Sequence, residues 1–247
     1  TISWGSAAGV FKVSCTPRND CGNGSPSELN VTVNGKPNIT NTDLIQTICS
    51  DNNSSAITLL SDIPNANFTW TASSPNGITG FSPSGSGNIT AQKLTNPSIN
   101  QGKVDYVVTV TGPSPTSCAG TATKTFVVNV DAVPTVDDIT PPSAICSGLT
   151  TNIPLSANIV SSTLNWSVVS SSGASGASTG TGNSISQILS TTGLSAGTVV
   201  YSVSAKSGNC IAKDAKPAKC CEFLNNRWPN RRRAQVVARS CRFAPDR

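Results

Sequence analysis

At 247 residues, with 36% apolar and 5% aromatic side chains, the chain can fill two or three small β-sandwich cores, yet it has no apolar run near the ~18 residues of a membrane helix. Its net charge of +5 is uneven: residues 1–205 hold six Lys and Arg against nine Asp and Glu, residues 206–247 eleven against three, so only the tail offers nucleic acid a non-specific basic surface. Nine Cys with no His argue against imidazole zinc sites and Ser/His or Cys/His nucleophile pairs, and favour cystines formed outside the cytoplasm.

In chain order, residues 1–35 read as the C-terminal half of a truncated sandwich. "AGVFKVSCTPRNDCGNGSPSELNVTVNGKP" aligns with the last two strands of later repeats, with Cys21 standing where they have Cys118 and Cys210. On this reading the chain starts inside a domain, and neither an initiating Met nor a signal peptide precedes it. The partner of Cys21 would lie upstream, and Cys15 is the thiol nearest to it in sequence.

Residues 36–131 read as one complete sandwich. Period-two alternation makes "KVDYVVTV" a strand with Val104, Tyr106, Val108 and Val110 inward, and "TKTFVVNV" a strand with Phe126, Val128 and Val130 inward. Thr, Ser and Asn fill the other faces, and Gly/Pro/Ser stretches such as "SPNG" and "SPSGSG" break the chain at turn intervals, so helix is expected to be nearly absent.

Residues 132–212 repeat this pattern. Cys49 in "TICS" falls on Cys146 in "AICS", Trp70 on Trp166 one residue out of step, "GNITAQKL" on "GNSISQIL", Tyr106 on Tyr201, and Cys118 on Cys210. A repeat of about 95 residues is a sandwich domain and not a solenoid turn, so each copy should carry its own core, with Leu164, Trp166 and Val168 facing inward in the second. Pro37 and Pro134 make the links short and stiff, which predicts an elongated array. The expected bridges are Cys49 to Cys118 and Cys146 to Cys210, each closing a loop of roughly 65 to 70 residues and contributing roughly 4 kcal/mol in the chain-entropy treatment. Asp131, Asp137 and Asp138 around Pro134 form a candidate Ca²⁺ site at the domain junction, with solvated linker carboxylates as the bland reading.

After "SGNC" the alternation stops. Where the first copy runs "CAGTATKTFVVNV", the second has "CIAKDAKPAKCCEFL", so it is expected to lack its native last strand unless "QVVAR" in the tail supplies one. An unclosed edge would invite dimerisation through this domain. Residues 213–247 read as a basic non-family tail, a frameshift or vector read-through product, and the whole as a genomic fragment of the kind recovered from a library.

The pattern "TICS…ITLLSDIPNANFTWTASS…GKVDYVVTVT…SCAGTATKTFVVNV" resembles the PKD-like, immunoglobulin-like repeats of giant cell-surface adhesins of Bacteroidetes-type bacteria, associated with gliding and type IX secretion. The resemblance covers about residues 1–211 and carries no catalytic motif. It implies an all-β fold of tandem antiparallel sandwiches and an extracellular spacer or adhesive role, with a glycan, another surface ligand or neighbouring repeats as partner. The alternative of another class is a promiscuous, esterase-like hydrolase, whose densest reactive cluster is Lys219, Cys220, Cys221 and Glu222, where a lysine beside a thiol would favour the thiolate. Scrambled thiols, Cys241 included, are the bland reading of that tail. Trp70 and Trp166 read as buried sandwich tryptophans in preference to ligand-stacking platforms.

Overall fold

The structure, a computed structural model, describes residues 8–114, 117–120, 122–140, 144–220 and 222–224. Among these every regular element is a strand, and the chain divides into two compact units, residues 1–130 and 131–247.

The first unit begins with a hairpin of β1 (Gly9–Cys15) and β2 (Ser27–Val33), antiparallel from Gly9 opposite Val33 to Cys15 opposite Ser27. Its polar face carries an exposed Lys12–Glu28 ion pair at 2.8 Å. A complete sandwich follows. One sheet contains β3 (Ile45–Cys49), β4 (Asn67–Ser73), β5 (Ser84–Ser86), β6 (Gly102–Thr111) and β7 (Lys124–Asp131), in the order β3-β7-β6-β4-β5. The facing layer is built of short pairings, including Asn52–Asn53 with Lys93–Leu94 and the bridges Ile57 to Ile89 and Thr79 to Thr95.

Period-two alternation explains this core. Val104, Tyr106, Val108, Val110, Phe126, Val128 and Val130 are all at most 1% exposed and meet Ile78, Ile89 and Leu94 from the opposite layer. Each such side chain contributes roughly 1.5–3 kcal/mol by leaving water. In register, Tyr106 lies between Phe126 on β7 and Ala72 on β4. The Trp70 and Tyr106 rings meet edge to face, with centroids 5.7 Å apart at 69°.

The second unit repeats the plan. Its main sheet holds β10 (Thr163–Ser172), β11 (Gly180–Thr181), β13 (Thr198–Ser207) and β14 (Cys210–Ile211), ordered β11-β10-β13-β14. Around it lie β8 (Ala144–Cys146) and the pair β9 (Ile153–Pro154) with β12 (Ser184–Ile185). Leu164 and Trp166 point inward as expected, and Val168 is half-buried at a bulge between Val168 and Ser170.

The sheet does not stop at residue 212. Lys216–Cys220 forms β15, antiparallel to β13 with Tyr201 opposite Ala218, and Glu222–Leu224 forms β16, parallel to β8. β15 therefore occupies on β13 the slot that β7 occupies on β6, which corrects the expectation of a sandwich left without a last strand. "KPAKC" was unreadable as a strand because one inward position, Ala218 at 1% exposure, suffices where β7 supplies three large apolar ones. "QVVAR" (235–239) lies outside the described residues.

Candidate functional site

The constellation that recurs in both units is a tyrosine, a glutamine, a tryptophan and a glycine. In the first unit Gln92 Oε1 accepts hydrogen bonds from the Tyr106 hydroxyl at 3.0 Å and the Ser82 backbone N–H at 2.9 Å. Ser54 Oγ accepts from the Gln92 backbone N–H at 3.0 Å. In the second, Gln187 Oε1 accepts from the Tyr201 hydroxyl at 2.7 Å and Ser178 N–H at 3.0 Å, and Thr151 Oγ1 accepts from Gln187 N–H at 2.9 Å. The amide thus fastens a crossing loop to the buried phenol of the sheet. Burial pushes the Tyr106 hydroxyl up to about 12, since a phenolate there would lose its water. These are core clasps: the tyrosine hydroxyls and glutamine amide oxygens are spent on one another and on loop N–H groups, while the buried Trp70 and Trp166 Nε1–H groups have no hydrogen-bond partner among the described residues. The indoles are 6% and 8% exposed, so neither ring forms a ligand platform.

Two open grooves lie beside these cores. One, of about 350 Å³, is lined by Asn41, Asp43, Gln46, Ser55 and Ile57 in the first unit. Its amides are committed: Asn41 donates to Thr58 O and accepts from Leu60 N–H, while Gln46 accepts from Ser55 N–H and donates to Ser55 O. They zip the 41–46 segment to 55–60 and leave Asp43 as the acidic side chain along the groove. The other, of about 420 Å³ in the second unit, is largely apolar, with Leu155, Ile159, Val160 and Leu164 around the Ser162 hydroxyl.

The sequence-based site residues fare differently. Lys219 is exposed on β15, opposite Val200. Cys221 and the side chains of Cys220 and Glu222 lie outside the described residues, as does Cys241. Among the described residues no three His, Cys, Asp or Glu side chains gather to hold a metal ion, so Asp131, Asp137 and Asp138 do not form the expected Ca²⁺ cage. Asp138 pairs instead with the Lys216 ammonium, which holds its carboxyl below the usual range.

The expected Cys49 to Cys118 pairing is corrected. Cys118 is a free thiol, as are Cys15 and Cys21, whereas Cys49, Cys146 and Cys210 are disulfide-bonded. The reason is position along the strands. Ser50, next to Cys49, bonds Asn96, whose amide donates to Val130 O at the Gly102 end of β6, whereas Cys118 O accepts from Gly112 N–H just past the other end. Ten residues of strand separate these ends by roughly 30 Å, far beyond the reach of a cystine. Sequence spacing alone did not identify Gln92 and Gln187 as clasps, although both stand 14 residues before their tyrosine inside matching octapeptides.

No curated protein matches the chain in sequence. Among solved structures it is similar to the chicken CNTN1 FN1-FN3 domains, at 12% identity and a TM-score of 0.35 over 87% of this chain and 76% of that one. It is also similar to mouse protocadherin-24 EC1-3, at 13% identity and 0.39 over 87% and 80%, and to mouse cadherin-23 EC22-24, at 14% and 0.36 over 76% and 67%. The PKD-like domain model matches residues 46–134 and 143–215, once in each unit and over the strands that build the two cores. With both sandwiches so matched, the chain belongs to the PKD-like domain family.

Proposed function

We propose that the chain is a structural or adhesive segment of an extracellular, multi-repeat bacterial surface protein of the Bacteroidetes type, each sandwich acting as a spacer or a binding module. The observation that carries this reading is the tandem repetition of one closed core, with the same Trp, Gly, Tyr and Gln in the same contacts. A module whose tyrosine hydroxyl and glutamine amide are spent on fastening its own loop to its sheet suits a load-bearing spacer. The half-cystines Cys49, Cys146 and Cys210 support an oxidising compartment, and no helix among the described residues is long and apolar enough to cross a membrane. Antiparallel strands with polar Ser, Thr and Asn outward leave a glycan or a neighbouring repeat as the partner chemistry. The dimer expected through the second sandwich would form along β15, which occupies that edge of β13.

Single-molecule pulling of the whole, reduced chain tests the load-bearing role. Two discrete unfolding events are expected, each releasing about 30 nm for a module of about 90 residues. A featureless low-force extension would overturn the proposal. Beads coated with the chain and challenged with immobilised glycans separate a binding module from a spacer.

A further inference from the structure

The dipeptide Asn-Gly occurs three times in the chain, as Asn23–Gly24, Asn34–Gly35 and Asn76–Gly77. In such a pair the glycine nitrogen can approach the preceding carboxamide, because no side chain stands in the way. As dipeptides the three are equivalent; the fold makes them unequal.

Among the described residues none of the three carboxamides takes part in a hydrogen bond, so the asparagine side chains do not distinguish the sites. The glycine nitrogens do. Gly24 N–H donates to Pro17 O at 2.8 Å, whereas among the described residues neither Gly35 nor Gly77 N–H donates to a backbone carbonyl. Space separates them further. A Cβ at Gly24 would sit 2.8 Å from Pro17 Cγ, and one at Gly35 3.5 Å from Ala8 Cβ and Ile63 Cδ1, but around Gly77 nothing lies within 4 Å. Asn76 and Gly77 are both exposed, in a turn tied at its ends where Ser74 Oγ accepts from Ile78 N–H at 3.0 Å.

We infer that Asn76 is a self-modification site, converted without an enzyme to aspartate and isoaspartate, whereas the fold protects Asn23 and leaves Asn34 between the two. Gly77 N attacks Asn76 Cγ: an N–Cγ bond forms, the Cγ–Nδ2 bond breaks, and the proton from Gly77 N departs with the amide nitrogen as ammonia. The product is a cyclic imide. Water then opens it at either carbonyl. Cleavage at Cγ leaves aspartate, and cleavage at the Asn76 main-chain carbon leaves isoaspartate, whose backbone runs through the side chain and gains one methylene. The attack needs the nitrogen within near-attack reach of Cγ, roughly 3–3.5 Å, with its proton released. The bond from Gly24 to Pro17 opposes both requirements, since it fixes the peptide plane and holds the proton. Either product at residue 76 places a carboxylate two residues before Ile78, which is 3% exposed in the first core.

The test holds the whole, oxidised chain in mildly alkaline buffer. Peptide mass mapping at intervals reads amide loss at each asparagine, and electron-transfer fragmentation tells isoaspartate from aspartate. Native Asn76 should be converted at least about tenfold faster than Asn23, because attack at Gly24 must first break a backbone hydrogen bond. Asn34 should fall between them. In urea, where no fold distinguishes the three, their rates should converge, chiefly because Asn23 accelerates. Asn76→Gln, whose longer side chain must close a larger ring, should abolish conversion at residue 76 and leave the Asn34 rate unchanged. The inference is overturned if native Asn23 is converted as fast as Asn76, or if native Asn76 keeps its amide over the time in which the urea-treated chain loses it. It is also overturned if the native order persists undiminished in urea, since local sequence and not the fold would then set the rates.

Discussion

Gly85 and Gly180 occupy equivalent places on the edge strands β5 and β11, each laid directly on a tryptophan. A Cβ at Gly85 would sit 2.3 Å from Trp70 Cζ2, and one at Gly180 2.4 Å from Trp166 Cζ2, against 3.4 Å or more for ordinary contact. Either the indole moves by about an ångström or the edge strand withdraws, and the rings are 6% and 8% exposed with packed neighbours, so neither adjustment is free. Overpacking of this kind costs roughly 1–3 kcal/mol, and Gly85→Ala and Gly180→Ala should each destabilise their own sandwich by that amount. Urea denaturation followed by far-UV circular dichroism reads the change as a lower midpoint at constant slope. The decisive comparison is a double-mutant cycle: in a Trp70→Phe background, where the offending Cζ2 and Cη2 atoms are absent, Gly85→Ala should lose most of its cost. If Gly85→Ala were as harmful without the indole as with it, or harmless in both backgrounds, close approach to the ring would not be what the glycine is for.

Ala218→Asp should destabilise the second sandwich by ~3 kcal/mol or more, because the carboxylate would enter the core beside Tyr201; a midpoint unchanged from the parent would show that residues 216–220 do not close that sheet. In a Tyr201→Phe background, absorbance at 295 nm should place Tyr106 ionisation near pH 12, well above a free phenol. Because the folded-state value is the raised one, this group's contribution is complete below about pH 10 and is lost as the pH rises towards 12, so base titration should show stability falling across that window and not below it. Alkylation of the native, oxidised chain should label Cys15, Cys21 and Cys118 and spare Cys49, Cys146 and Cys210 until reductant is added, as read by peptide mass mapping. A peptide joining Cys49 to Cys118 would refute the strand-end argument.

The amino-acid sequence by itself determined the class of fold. Side chains on a strand alternate faces, so Val104, Tyr106, Phe126 and Trp166 could be placed inside from spacing alone, and the repetition of that spacing required two cores. It also read residues 1–35 as a half-module. What only the tertiary structure decided was which distant residues meet. The Cys49 to Cys118 pairing fails because equivalence between copies says nothing about proximity within one, and ten residues of extended chain lie between the supposed partners. β15 escaped notice because a sheet slot demands backbone hydrogen bonds and one small inward side chain, and neither leaves an apolar pattern. Gln92 and Gln187, polar in a polar sequence, became visible only once folding brought each against a buried phenol, where an unmet hydroxyl would be costly.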